Sequence, residues 1–280
     1  MESLVSTEWL AGELGAPDLR IVDATSFLPT EGRDARAEYV QEHIPGAVFM
    51  DIHEVADTDS PLPVMMPPDY KFASRVQALG IGDGDRIVVY DNAPLHSAAR
   101  AWWMFRSFNA RHVAILDGGF QKWKAEGRPT ESGTPNVKRG HFTALLDPAQ
   151  LADKTMVMDV LRAGTHEIVD ARSAERFAGT SPEPRPGLEA GHIPESRNLP
   201  QNLLFNPDNS WKRGEALRAA FEAAGVDLDR PMITTCGSGV TAAVLLFGAH
   251  LLGKEDVRLY DGSWTEWGSD PATPKATGRA

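Results

Sequence analysis

The segment Pro231-Met232-Ile233-Thr234-Thr235-Cys236-Gly237-Ser238-Gly239-Val240-Thr241 changes character twice in eleven residues. An apolar, β-branched run ends at Cys236, two glycines follow, and Thr241 to Leu252 carries the length and apolar content of a buried helix. A strand, a tight loop and a helix in that order form the unit from which parallel α/β sheets are wound. Ligands of such sheets collect where strands end and helices begin. One stretch therefore gives both the fold class and a place to look for chemistry.

Working outward, the same landmarks occur twice. Ile21-Val22-Asp23-Ala24 returns as Ile168-Val169-Asp170-Ala171, and His43-Ile44-Pro45-Gly46 as His192-Ile193-Pro194-Glu195. Arg86-Ile87-Val88-Val89-Tyr90-Asp91 lines up with Pro231 to Cys236, Asp117-Gly118-Gly119-Phe120 with Asp261-Gly262-Ser263-Trp264, and Trp123 with Trp267. The order is kept and the offset drifts only between 144 and 149 residues, so a duplicated domain is expected rather than a solenoid of short repeats. Strands are predicted at 20–24, 47–52, 86–91 and 112–117, and helices at 70–79 and 97–108, with their counterparts at 215–224 and 241–252. Each half thus reads as a mostly parallel sheet with helices on both faces. Residues 1–135 and 156–280 are the expected domains and 136–155 the linker. Thr180 to Gly187, with Pro182, Pro184 and Pro186, is an excursion loop because repeated proline forbids regular helix.

Length and composition agree with two globular domains: 280 residues, 42% hydrophobic and 24% charged. The net charge of −11 repels nucleic acid and anionic lipid, so any anion site must be built locally. The most apolar run, 242–252, is about half a bilayer span, and the chain opens without a secretory leader pattern, so a cytoplasmic protein is expected. Cys236 is the only cysteine, which excludes an intramolecular disulfide and any multi-thiolate metal site.

A lone thiol is commonly buried filler, but this one ends a strand, precedes a glycine loop and sits at a helix N-terminus, where converging N–H groups favour a thiolate nucleophile. The first half offers a comparison, since Asp91-Asn92-Ala93-Pro94-Leu95-His96 replaces thiol and glycines together, leaving that domain catalytically silent. Two imitations fall away. A phosphatase loop needs arginine where Ala242 stands, and the dinucleotide-like Gly237-x-Gly239-x-x-Ala242 lies too near the chain's end for paired mononucleotide halves. His43 and His192 recur in both halves and read as structural, as do Asp23, Asp117, Asp170 and Asp261. No metal-ligand spacing is present, and neither metal nor cofactor is expected.

Asp170-Ala171-Arg172, Gly191-His192-Ile193-Pro194, the Cys236 to Thr241 loop and Tyr260-Asp261-Gly262-Ser263-Trp264-Thr265-Glu266-Trp267 resemble the rhodanese superfamily, and the tandem arrangement resembles its two-domain sulfurtransferases. Within that family the uncharged loop is similar to that of enzymes using 3-mercaptopyruvate, whereas thiosulfate users carry cations there. The resemblance implies a Cys236 persulfide, substrate contacts from Gly237, Gly239, Val240 and Thr241, Arg176 and Arg185 as binders of the donor's carboxylate and carbonyl, and Ser238 as a proton or hydrogen-bond donor. It also implies an external acceptor such as thioredoxin, a small thiol or cyanide. A Ser-His-Asp relay proposed for some members is not expected here, because Val64 stands at the His position and His53 at the Asp position. Thiosulfate as principal donor and a non-catalytic sulfur-relay or binding module are the alternatives.

Overall fold

The computed structural model describes residues 1–278, which fold as two compact units. Unit one comprises 1–58, 66–147 and 205–211; unit two comprises, of the described residues, 59–65, 148–204 and 212–278. Each unit thus contains a short segment from the other half of the sequence, which the repeat gives no means of anticipating.

Unit one contains β1 (Leu4–Val5), β2 (Leu19–Asp23), β3 (Ala47–Phe49), β4 (Arg86–Tyr90) and β5 (Val113–Leu116) in the sheet order β1-β5-β4-β2-β3. Unit two contains β6 (Leu151–Ala152), β7 (Glu167–Asp170), β8 (Arg197–Asn198), β9 (Met232–Thr235) and β10 (Val257–Tyr260) in the order β6-β10-β9-β7-β8. Every pairing between these strands is parallel, and equivalent strands hold equivalent registers: Asp23 lies beside Tyr90, and Asp170 beside Thr235. The strands β4, β5, β7 and β9 are almost wholly buried, as expected of a sheet covered on both faces. The duplication extends to single bonds. Trp123 donates its indole N–H to the Pro129 carbonyl at 2.7 Å, and Trp267 does the same to Pro274 at 2.8 Å.

The predicted long helices are present at Asp69–Ala78, Ala98–Ser107, Gly214–Ala223 and Ala242–Leu251. One expectation is corrected: the strand at 47–52 stops at Phe49. The Asp51 carboxylate accepts the backbone N–H groups of His53 and Glu54 and starts a short helix, Ile52–Val55, so local capping ends the apolar run. Residues 180–187 form no helix or strand, as their prolines require. They follow the helix Ala174–Ala178, whereas unit one has its loop before the helix Ala35–Gln41, so the spacing from Asp to His grows only from 20 residues (Asp23 to His43) to 22 (Asp170 to His192). The carbonyl that accepts the histidine Nδ1 lies four residues before His43, at Tyr39, but fifteen before His192, at Phe177. No helix among the described residues is long and apolar enough to cross a membrane.

Candidate active site

Cys236 follows β9 directly and is buried at 2% exposure. Its backbone is held at both ends by the corner after β10. Its N–H donates to Ser263 Oγ at 3.2 Å, and its carbonyl accepts the Trp264 N–H at 2.9 Å. The next carbonyl, of Gly237, accepts both the backbone N–H of Thr265 at 2.9 Å and its hydroxyl at 2.6 Å. Gly239 turns the loop at φ +79°, a conformation that L side chains resist, and delivers the chain to the helix Ala242–Leu251. A thiol is thereby fixed at the N-terminal end of a ten-residue helix, where the aligned peptide dipoles favour an anion. Gly237, Ser238 and Thr241 are partly exposed, Gly239 and Val240 buried, and the Ser238 hydroxyl makes no hydrogen bond among the described residues.

Three arginines lie around the loop, and their partners differ. Arg172 is fully buried, grips Asp170 through Nε and Nη2, donates through Nη1 to Glu183 at 2.8 Å, and stacks over the Trp264 ring at 4.5 Å. Burial works against its charge, but the Asp170 and Glu183 carboxylates outweigh it and hold its pKa above the usual arginine range. Arg176 places its Nε and Nη2 edge on the same Glu183, at 3.3 and 2.6 Å. A Cβ at position 237 would stand 3.0 Å from Arg176 Nη2, so glycine there lets the guanidinium lie directly against the loop. Arg185 is half-buried and has no hydrogen bond or ion pair among the described residues. Burial pushes its pKa down, the Cys236 charge opposes this, and the neighbouring Arg176 adds to it.

Arg176 and Arg185 therefore lie in the same unit as Cys236, one engaged and one free. The sequence alone assigns no role to Arg172, Glu183 or Ser263. Arg172 and Glu183 stand inside recognisable blocks, and an unbroken Asp170-Ala171-Arg172 with an acidic residue in a proline loop is the only signal available. Ser263 sits at φ 49°, and its counterpart is Gly119 at φ +57°. A serine kept where the other half uses glycine marks a hydroxyl that is used: it ties Cys236 N–H to the Tyr260 carbonyl.

The remaining candidates have structural neighbours. His43 and His192 each bond a backbone carbonyl through Nδ1 at 2.7 Å, to Tyr39 and Phe177, and stack on those rings. His53 faces Ser26 Oγ at 3.2 Å in unit one. Val64, buried at 4% exposure, holds φ 58°, a strained value for a β-branched residue, and its side chain has no proton to pass. No group of three or more His, Cys, Asp or Glu side chains able to hold a metal occurs among the described residues.

The sequence matches the model of the rhodanese-like domain twice, over residues 6–126 and 153–270. It is 43% identical to the 3-mercaptopyruvate sulfurtransferase of Mus musculus over 271 residues, covering 95% of this chain and 91% of that one. It is 44% identical to the thiosulfate sulfurtransferase of Bos taurus over 273 residues, with the same coverage of 95% and 91%. The crystal structure of SseA from Escherichia coli, a 3-mercaptopyruvate sulfotransferase, superposes with a TM-score of 0.87 at 39% identity, covering 94% of this chain and 99% of that one.

Proposed function

The chain belongs to the rhodanese family, and on that premise we propose that it is a sulfurtransferase that takes sulfur from 3-mercaptopyruvate onto Cys236, releases pyruvate, and passes the sulfur to an external nucleophile. The observation that carries this choice of donor is the state of Arg185. Asp170 and Glu183 together match the charges of Arg172 and Arg176, and the loop itself is uncharged, so one guanidinium without an ion-pair partner among the described residues remains within electrostatic reach of Cys236. A single cation suits the single carboxylate of mercaptopyruvate, and planar guanidinium binds carboxylate through two parallel hydrogen bonds.

In the reaction, the Cys236 thiolate attacks the donor sulfur and a new S–S bond forms. The C–S bond breaks with its electron pair moving to carbon, giving the enolate of pyruvate. The proton originally on the donor thiol is released by the persulfide, and one proton is taken up by the enolate carbon, so pyruvate leaves and the enzyme holds Cys236–S–S⁻. Ser238, whose hydroxyl is uncommitted, supplies or relays that proton. Loop N–H groups from Gly237, Gly239, Val240 and Thr241 and the helix dipole stabilise the anionic outer sulfur. In the second displacement a thiolate, such as that of thioredoxin or a small thiol, or cyanide attacks that outer sulfur and frees Cys236. Since the chain has no second cysteine, no internal thiol can resolve the persulfide. A lone reduced thiol of this kind suits a cytoplasmic compartment.

The similarity to a thiosulfate sulfurtransferase keeps thiosulfate as the second reading. Steady-state kcat/KM for both donors with cyanide as acceptor separates the two. Mercaptopyruvate is expected to be the better donor by at least about tenfold, a difference of about 1.4 kcal/mol in transition-state binding. A higher kcat/KM for thiosulfate would overturn the assignment of donor.

A further inference from the structure

Glu183 is nearly inaccessible, with its side chain 2% exposed, although it stands in an excursion loop between two exposed prolines. Oε1 is shared: it accepts from buried Arg172, which Asp170 holds in turn, and from Arg176 Nε at 3.3 Å, while Oε2 accepts from Arg176 Nη2 at 2.6 Å. A chain of charges thus runs from the end of β7 through Arg172 and Glu183 to a guanidinium resting on Gly237. The half-buried Arg185 lies two residues from Glu183, so the same anchor fixes the loop that carries it.

We propose that Glu183 is the positioning residue of the donor site: it divides the work between the two arginines by occupying the two-pronged edge of Arg176 and leaving Arg185 whole. An arginine has five N–H donors. With Nε and one N–H of Nη2 engaged by Glu183, the side-on edge of Arg176 is closed to a carboxylate, and three N–H groups, two on Nη1 and one on Nη2, remain for substrate. Arg185, bonded to nothing among the described residues, retains its full fork and takes the carboxylate. Of the two groups that the family resemblance assigns to these arginines, the carboxylate thus falls to Arg185 and the carbonyl to Arg176, and Glu183 is what sets that order. The proposal rests on the sulfurtransferase reading and adds to it the way the donor is oriented.

The test is single-turnover pyruvate release by wild type, Glu183→Gln and Glu183→Asp as a function of mercaptopyruvate concentration, with thermal melting of each. For Glu183→Gln the apparent donor constant is expected to rise about tenfold, with the saturating rate changing no more than about threefold, since a freed Arg176 weakens donor binding before it affects the thiol. Glu183→Asp, which keeps the charge on a shorter arm, is expected to recover part of the loss. If Glu183→Gln does not fold, the ordering is read from Glu183→Asp against wild type, with an expected rise of about threefold. An unchanged donor constant in the folded variant, or a fall in saturating rate with no change in that constant, would overturn the proposal. Failure of the underlying reading looks different: wild type itself would release no pyruvate.

Discussion

Asp91 and Cys236 follow the same central strand in the two units, β4 and β9, and in both the residue's carbonyl accepts a backbone N–H from the next corner at 2.9 Å, from Phe120 in one and Trp264 in the other. Around that shared frame the ionisable groups differ. Unit one surrounds the strand ends with carboxylates: burial raises Asp91 to about 7 and Asp23 to about 6. Unit two puts arginines there. The divergence begins at one turn. Asp23 and Asp170 each accept the backbone N–H two residues on at 2.9 Å, but that residue is Thr25 in one unit and Arg172 in the other. Arg172 in turn holds Glu183, and Glu183 holds Arg176. His96, which closes the segment standing in place of the thiol loop, fills space in unit one: it stacks on Phe205 at 3.6 Å, and burial lowers its pKa to about 4. Duplication has kept the backbone hydrogen bonds and replaced buried carboxyls of raised pKa with arginines that are in part held by carboxylates.

That contrast can be broken from either side. The largest effect is expected from Arg185→Ala, which removes the unpaired cation and should lower kcat/KM for mercaptopyruvate about a hundredfold, within the range for truncating one partner of a desolvated charge pair. Unchanged donor kinetics would remove Arg185 from the site. A smaller effect is expected in unit one. A carboxyl whose pKa is raised from 3.8 to about 7 by folding holds a proton that the unfolded chain has released, so stability is lost as pH rises between those values and is flat above them. Asp23 acts in the same direction over a narrower range. Asp91→Asn keeps an oxygen for the Ala98 N–H, which the carboxylate now accepts at 2.7 Å, and removes the charge. Its melting temperature is expected to exceed that of wild type by roughly 2 to 4 °C at about pH 8 and to converge with it near pH 4. Melting curves with the same offset at every pH would contradict the burial of that charge.

The fold was legible because the repeat and the strand-to-helix alternation are properties of local sequence: β4 and β9, the glycine loop and the long helices all lie within a residue or so of where periodicity put them. The thiol was legible for the same reason. The partition of the arginines was not, because Arg172, Arg176 and Glu183 meet through side chains whose pairing depends on how a proline loop returns to the sheet. Nor was the strand's early end at Phe49, where a single aspartate cap outweighs an apolar run. The exchange of 59–65 and 205–211 between the units is a matter of chain path alone, and nothing in their composition announces it.

Sulfur is expected to reside on Cys236, and unit one to take none. Intact-mass measurement after brief treatment with 3-mercaptopyruvate, in the absence of an acceptor, tests it on wild type and Cys236→Ser side by side. The expected result is the gain of one sulfur atom by wild type, its loss on adding cyanide, and no gain by the variant. No gain in wild type, or an equal gain in Cys236→Ser, would contradict it.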